Sequence, residues 1–211
     1  MMLALGAGTL ATALALSAPA TAQQSGDSLD GRYQVVQPPQ PTEVDAGKVE
    51  VVDVFWYGCP HCFRFLPEME RYEASKPDYV VLRRMPAVFR DSWRAHARAY
   101  YTAELLGVVA KIHRPLFEAI HEKRQALDTR ESLMEFFAGH GVSKEDFAKT
   151  FDSFAVESLV RKSEVMQARY GVQGTPSVIV NGKYRVVGNL AGSYENMARI
   201  TAALAEREHQ Q

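Results

Sequence analysis

Apolar residues are unevenly distributed along the chain, and the spacing changes several times. Val49–Trp56 reads Val-Glu-Val-Val-Asp-Val-Phe-Trp. It is β-branched, aromatic and nearly continuous, which predicts a strand buried on both faces in the middle of a sheet. Gly58 opens a turn, and Cys59–Tyr72 follows at helical spacing. Tyr79–Met85 is a second strand candidate beyond Lys76-Pro77-Asp78. Strand, helix and strand at this spacing predict a parallel βαβ unit with a right-handed crossover.

Residues 92–170 change to helical periodicity. Ala97, Tyr101 and Leu105 recur on one face. So do Leu133, Phe136 and Phe137, then Phe147, Phe151 and Phe154, then Val156, Leu159, Val160 and Tyr170. Glycines 107, 139 and 141 separate them, and four or five helices are expected, with Ser143 as an N-cap. Strand character returns at Ser177–Val180. Asn181-Gly182 signals a tight hairpin into Tyr184–Val187. A last helix is expected over about Tyr194–Ala205, with residues 206–211 fraying.

This order is β-α-β, a helical block, then β-β-α. Without the block it is the order of a thioredoxin fold. The block is too long for a loop and has to bury its own apolar face, which makes it a sub-domain. The expected class is therefore α/β, a thioredoxin fold with an inserted α-helical sub-domain. Residues 49–91 and 171–207 form the split thioredoxin-like domain, and 92–170 the insertion.

The N-terminal region has a different character. Residues 3–16 are uncharged, and Ala20-Thr21-Ala22 has the form of a signal-peptidase site. A signal peptide over 1–22, cleaved after Ala22, is expected. The first basic residue is Arg32, so either the true start lies upstream of Met1 or the signal is a weak one. Residues 23–48 are polar and proline-rich, and should wrap the surface with a short edge strand at Tyr33–Val36.

Composition narrows the chemistry. The 211 residues are 46% hydrophobic and 23% charged, with a formal net charge of −1. A large core needs no staples at that size, and so small an imbalance argues against a nucleic-acid binder relying on bulk positive charge. The only two cysteines are Cys59 and Cys62. Two cysteines make neither a multi-bridge scaffold nor a four-cysteine zinc site.

A Cys-x-x-Cys pair still allows half a zinc site, a soft-metal loop or two structural thiols. The histidines at 96, 113, 121, 140 and 209 lie singly on helical or terminal segments, where solvated or capping roles are expected. The redox reading rests on position. The pair follows a buried strand and opens a helix, whose free N–H groups and partial positive charge favour a thiolate. Pro60 fits the first turn, and His61 adds a donor, or a charge when protonated, beside Cys59.

Phe55–Cys62, Phe-Trp-Tyr-Gly-Cys-Pro-His-Cys, resembles the active site of the DsbA-like thiol–disulfide oxidoreductases. Gly174-Thr175-Pro176-Ser177-Val178 resembles that family's cis-proline loop, and the helical insertion also matches. The resemblance covers about Tyr33 to Ala205. It implies Cys59 as the exposed attacking cysteine, Cys62 as the partly buried resolving one, and Pro176 as cis with Thr175 beside the dithiol. An extended substrate would pair with that backbone edge. It also implies Asp53 as a buried acid beneath the site. Burial should raise its pKa and let it exchange protons with Cys62. Pro67 would kink the helix.

The resemblance implies a periplasmic dithiol oxidase acting on reduced, exported polypeptides and reoxidised by a DsbB-type quinone-linked membrane protein. No cofactor and a monomeric state are expected. A disulfide isomerase or reductase on the same fold, a peptide-holding chaperone and a metal-delivery module are the alternatives.

Overall fold

The structure is a computed structural model that describes residues 29–211; the expected signal peptide and its expected cleavage after Ala22 lie outside them. Five strands form one mixed sheet in the order β1-β5-β4-β2-β3. They are β1 (Gln34–Val35), β2 (Val49–Phe55), β3 (Val80–Pro86), β4 (Ser177–Val180) and β5 (Tyr184–Val187). β2 is buried along its whole length. It pairs parallel to β3 and antiparallel to β4, which is why its pattern is continuous rather than alternating. β1 closes the sheet on β5 as the expected edge strand.

The β4–β5 turn depends on Asn181 and Gly182, both in the left-handed region at φ 50° and 66°. Gly182 also lies against the Gln40 carbonyl, which a Cβ would meet at 2.0 Å. A side chain there would clash with the N-terminal extension as well as strain the turn.

The first crossover helix, α1 (Pro60–Ser75), runs on through Pro67. The block then supplies α2 (Arg94–Leu105), α3 (Val109–His121), α4 (Arg130–Gly139), α5 (Lys144–Phe151) and α6 (Phe154–Arg169). Ser143 caps α5, accepting from the Asp146 N–H. A four-residue turn of helix, α7 (Gly188–Ala191), precedes α8 (Tyr194–His209); its shortness left no periodicity to read.

Three clusters make the core. Val49 and Val51 of β2 pack with Phe65, Met69 and the apolar side of α8. Val52 and Val54 pack on the opposite face with Tyr170, Val172 and Met166. The third cluster fills the helical block, and it includes Phe55, Tyr57, Cys59, Cys62 and Leu66. The insertion thus buries its apolar face against the end of β2 and the start of α1.

The C-terminus corrects the expectation of fraying. α8 continues to His209. The buried Glu208 accepts hydrogen bonds from Asn181 Nδ2 at 2.8 Å and Lys183 Nζ at 2.5 Å. His209 stacks on Tyr79 at 3.8 Å. Chain ends commonly fray, but these partners come from the hairpin and from Tyr79, just before β3. Among the described residues no helix is long and apolar enough to cross a membrane.

Candidate active site

β2 ends at Phe55, and the chain turns through Trp56, Tyr57 and Gly58 before α1 begins. Cys59 is the N-cap residue, with Pro60 in the first turn, where a missing N–H breaks no helical bond. No acidic side chain occupies that turn. The N-terminal partial charge of the helix therefore acts on the sulfur without competition. Trp56 stacks flat on Trp93 at 3.8 Å, which seats the turn against the start of the helical block.

Both cysteines are free thiols. The tertiary fold brings residues 174–177 across from them. Thr175–Pro176 is cis, and the Thr175 carbonyl accepts a hydrogen bond from Cys59 Sγ at 3.4 Å. Cys59, Cys62, Pro60, His61, Thr175 and Pro176 are thus assembled at one place. The expected exposure of Cys59 needs correction. Cys59 keeps only 7% of its surface and Cys62 4%. The turn before the helix, the Thr175 loop and the helical block all pack around the first cysteine.

The two sulfurs are electrostatically unequal. A hydrogen bond from the Cys62 thiol pulls Cys59 down to about 5, against the opposing effect of burial. Thr175 and the backbone N–H groups of Cys62 and His61 add to the pull. Burial, reinforced by the neighbouring Cys59, pushes Cys62 well above the ordinary thiol value. The first sulfur is therefore favoured as a thiolate, and the second holds its proton.

Asp53 is buried on β2, opposite Arg84 of β3 and Val178 of β4. Its Oδ1 has no hydrogen-bond partner. Burial raises its pKa to about 6, with Arg84 pulling down and Glu73 pushing up. The raised value matches the expectation. Its electrostatic partners are Arg84, itself paired with Glu73 of α1, rather than either sulfur.

Two of the histidines depart from the expected solvated or capping roles, whereas His209 is exposed and His140 Nδ1 donates to the Phe136 carbonyl at the end of α4. His96 and His113 are buried, each 5% exposed. His96 Nε2 donates to the Leu127 carbonyl at 2.8 Å. His113 Nδ1 lies 3.0 Å from the Tyr57 hydroxyl, and His121 Nε2 donates to the Tyr57 carbonyl at 2.7 Å. Single histidines at helical spacing gave no sign of this, because Tyr57 is more than 50 residues away. No group of three or more His, Cys, Asp or Glu side chains among the described residues is placed to hold a metal ion.

A groove of about 630 Å³ runs from His61 along Thr175 and Pro176 to Arg185, Val187 and Tyr194. Two groups bordering the site escaped the sequence reading: Arg64 and Tyr194, which both bond to His61. Arg64 was legible as the residue one helical turn beyond His61; Tyr194 was not.

The sequence matches the family model of the DSBA-like thioredoxin domain over residues 79–200. It is 39% identical over 207 residues to the thiol:disulfide interchange protein DsbA of Azotobacter vinelandii, covering 98% of this chain and 97% of that protein. It is 38% identical to the Pseudomonas aeruginosa protein of the same name, covering 89% of each. The crystal structure of Pseudomonas aeruginosa DsbA superposes with a TM-score of 0.81 at 38% identity, over 85% of this chain and 93% of that one. The oxidoreductase DsbA from Xylella fastidiosa superposes with a TM-score of 0.80 at 36% identity, over 85% and 96%.

Proposed function

This chain belongs to the DsbA family of thiol:disulfide oxidoreductases, and we propose that it works as an oxidase, donating a Cys59–Cys62 disulfide to exported polypeptides in the periplasm. The observation that carries the direction is the inequality of the two thiols. Cys59 is drawn toward thiolate at about 5 while Cys62 is pushed upward. Stabilising the thiolate stabilises the reduced form, and that makes the disulfide a stronger oxidant.

The cycle begins with the disulfide. A substrate thiolate attacks Cys59 Sγ; the new substrate–Cys59 bond forms as the Cys59–Cys62 bond breaks, and Cys62 leaves and takes up a proton. A second substrate thiolate then attacks the substrate sulfur of the mixed disulfide and releases Cys59 as a thiolate. The substrate loses two electrons and the enzyme gains them. Thr175 and Pro176 offer the backbone edge on which an extended substrate pairs. Asp53, titrating near 6, serves as the buried proton store. A DsbB-type quinone-linked membrane protein takes the electrons and restores the disulfide. The segment 1–22 directs export.

The test is the equilibrium redox potential against glutathione. DsbA itself, the reference case for this scale, lies near about −120 mV, and thioredoxin near about −270 mV. A value close to thioredoxin's overturns the oxidase direction. Cys59→Ser should abolish catalysed oxidation of a reduced peptide; continued turnover would refute the nucleophile assignment.

A further inference from the structure

His61 is gripped by two side chains that the exchange cycle does not use. Its Nδ1 lies 2.8 Å from the Tyr194 hydroxyl and 3.0 Å from a guanidinium nitrogen of Arg64. Arg64 sits three residues further along α1, on the same helical face. Tyr194 is the first residue of α8 and arrives from 133 residues away. A guanidinium carries N–H donors and no acceptor. Nδ1 is therefore the acceptor of that bond, and a neutral ring holds its hydrogen on Nε2. The Tyr194 hydroxyl, which rotates, donates to the same nitrogen. A ring with its hydrogen on Nδ1 would turn N–H against N–H and lose the Arg64 bond.

We infer that Arg64 and Tyr194 are positioning residues of the exchange reaction: together they fix the rotamer and the Nε2–H tautomer of His61, so that the one N–H the imidazole offers is on the side away from them. Thr175 and Pro176 line the same groove as His61, and that N–H is the one the ring can present to a reacting sulfur there. Of the charged groups in the groove, Arg185 does not compete for Nδ1. Its guanidinium is engaged with Gln34 and with the carbonyls of Tyr170 and Gly171. The inference rests on Cys59 being the reacting sulfur.

The experiment uses the full reduced protein labelled with ¹⁵N-histidine at pH 8.5, where an imidazole is neutral. The His61 nitrogen shifts report the tautomer directly, whether or not Cys59 reacts. Wild type should give the Nε2–H pattern alone. Tyr194→Phe alters no charge, and the Arg64→Ala/Tyr194→Phe double variant removes both donors. In the double variant the Nδ1–H form should become a substantial fraction. The Cys59 thiolate absorbance midpoint should also move up, and kcat/KM for peptide oxidation should fall at least about threefold. Arg64→Lys, again a donor with no acceptor, should keep the Nε2–H tautomer and the wild-type midpoint. Arg64 is exposed and Tyr194 half-buried, so folding is checked by unchanged thermal melting. An unchanged tautomer in the double variant overturns the inference. So does a changed tautomer with an unmoved midpoint and rate. Retained exchange in Cys59→Ser would instead refute the nucleophile assignment and leave the tautomer result standing.

Discussion

The Tyr57 hydroxyl lies 3.0 Å from His113 Nδ1, and both side chains are buried. Tyr57 stands two residues before Cys59, and His113 lies in α3 of the helical block. The same helix sends His121 Nε2 to the Tyr57 carbonyl at 2.7 Å. Phe55 and Phe117 pack against the Tyr57 and His113 rings. The insertion thus holds the turn that presents the redox pair. His113 Nε2 has no partner, and burial, with Arg84 and Arg114 nearby, keeps its pKa well below the ordinary value. The Tyr57 bond is the polar contact that this buried ring makes.

Tyr57→Phe should therefore destabilise the protein by about 1–3 kcal/mol, because it leaves a buried imidazole with no hydrogen bond. Adding His113→Phe should cost less than the sum of the two single changes. Urea unfolding of the four proteins measures this. Simple additivity would mean that the contact contributes nothing.

Asp53 should make stability fall as pH rises. The folded carboxyl holds its proton up to about pH 6, against an ordinary value of 3.8. Between those values the folded state binds more protons than the unfolded state. Stability therefore drops from about pH 4 to pH 6 and stays lower above that. Asp53→Asn should remove this drop and be more stable at pH 7, by up to about 3 kcal/mol. Urea midpoints that run parallel for both proteins from pH 4 to pH 7 would exclude the raised value.

The reduced protein should show the opposite trend from Cys59. Its folded value of about 5 lies below the ordinary 9.0. The stabilisation is complete above about pH 9 and is lost as pH falls toward 5. Reduced wild type should exceed reduced Cys59→Ser by something on the order of 3 kcal/mol at pH 7, and by little at pH 5. Cys62, shifted the other way, stays protonated across that window. A gap independent of pH would rule out thiolate stabilisation as its source.

At the far end of the chain, Glu208→Gln should lower stability by about 1–3 kcal/mol. It removes a buried carboxylate that serves Asn181 and Lys183 together. Ending the chain after Arg207 should do the same. Melting temperatures unaffected by either change would restore the picture of a frayed terminus.

Much of the fold was readable because its signals are local. Burial on both faces wrote the apolar run of β2. The Asn181-Gly182 turn needs left-handed backbone that few residues adopt. Ser143 caps α5 three residues from its partner, Asp146. The separate strand and helical patterns also fixed the order of elements, and with it the insertion. The Cys-Pro-His-Cys motif at a helix start placed four site residues, and Thr175-Pro176 placed two more by resemblance.

What stayed hidden depends on contacts between distant segments. His96 and His113 were expected to be solvated or capping because each stands alone in sequence, and only the packing of α3 against the end of β2 buries His113 beside Tyr57. Residues 206–211 were expected to fray as a chain end, yet the β4–β5 hairpin supplies Glu208 with both partners. The resemblance implied an exposed Cys59; the Thr175 loop, 116 residues away, helps to cover it.

The sequence by itself determined the chemistry of this protein: one dithiol, at the position where a helix start favours a thiolate, in a chain with no other sulfur to form a disulfide. The tertiary structure decided how that dithiol is tuned. The sulfur pKa values are set by burial and by short hydrogen bonds, and that of Asp53 by burial against the nearby charge of Arg84. Thr175 and Arg84 reach these groups only when the sheet and its helices close.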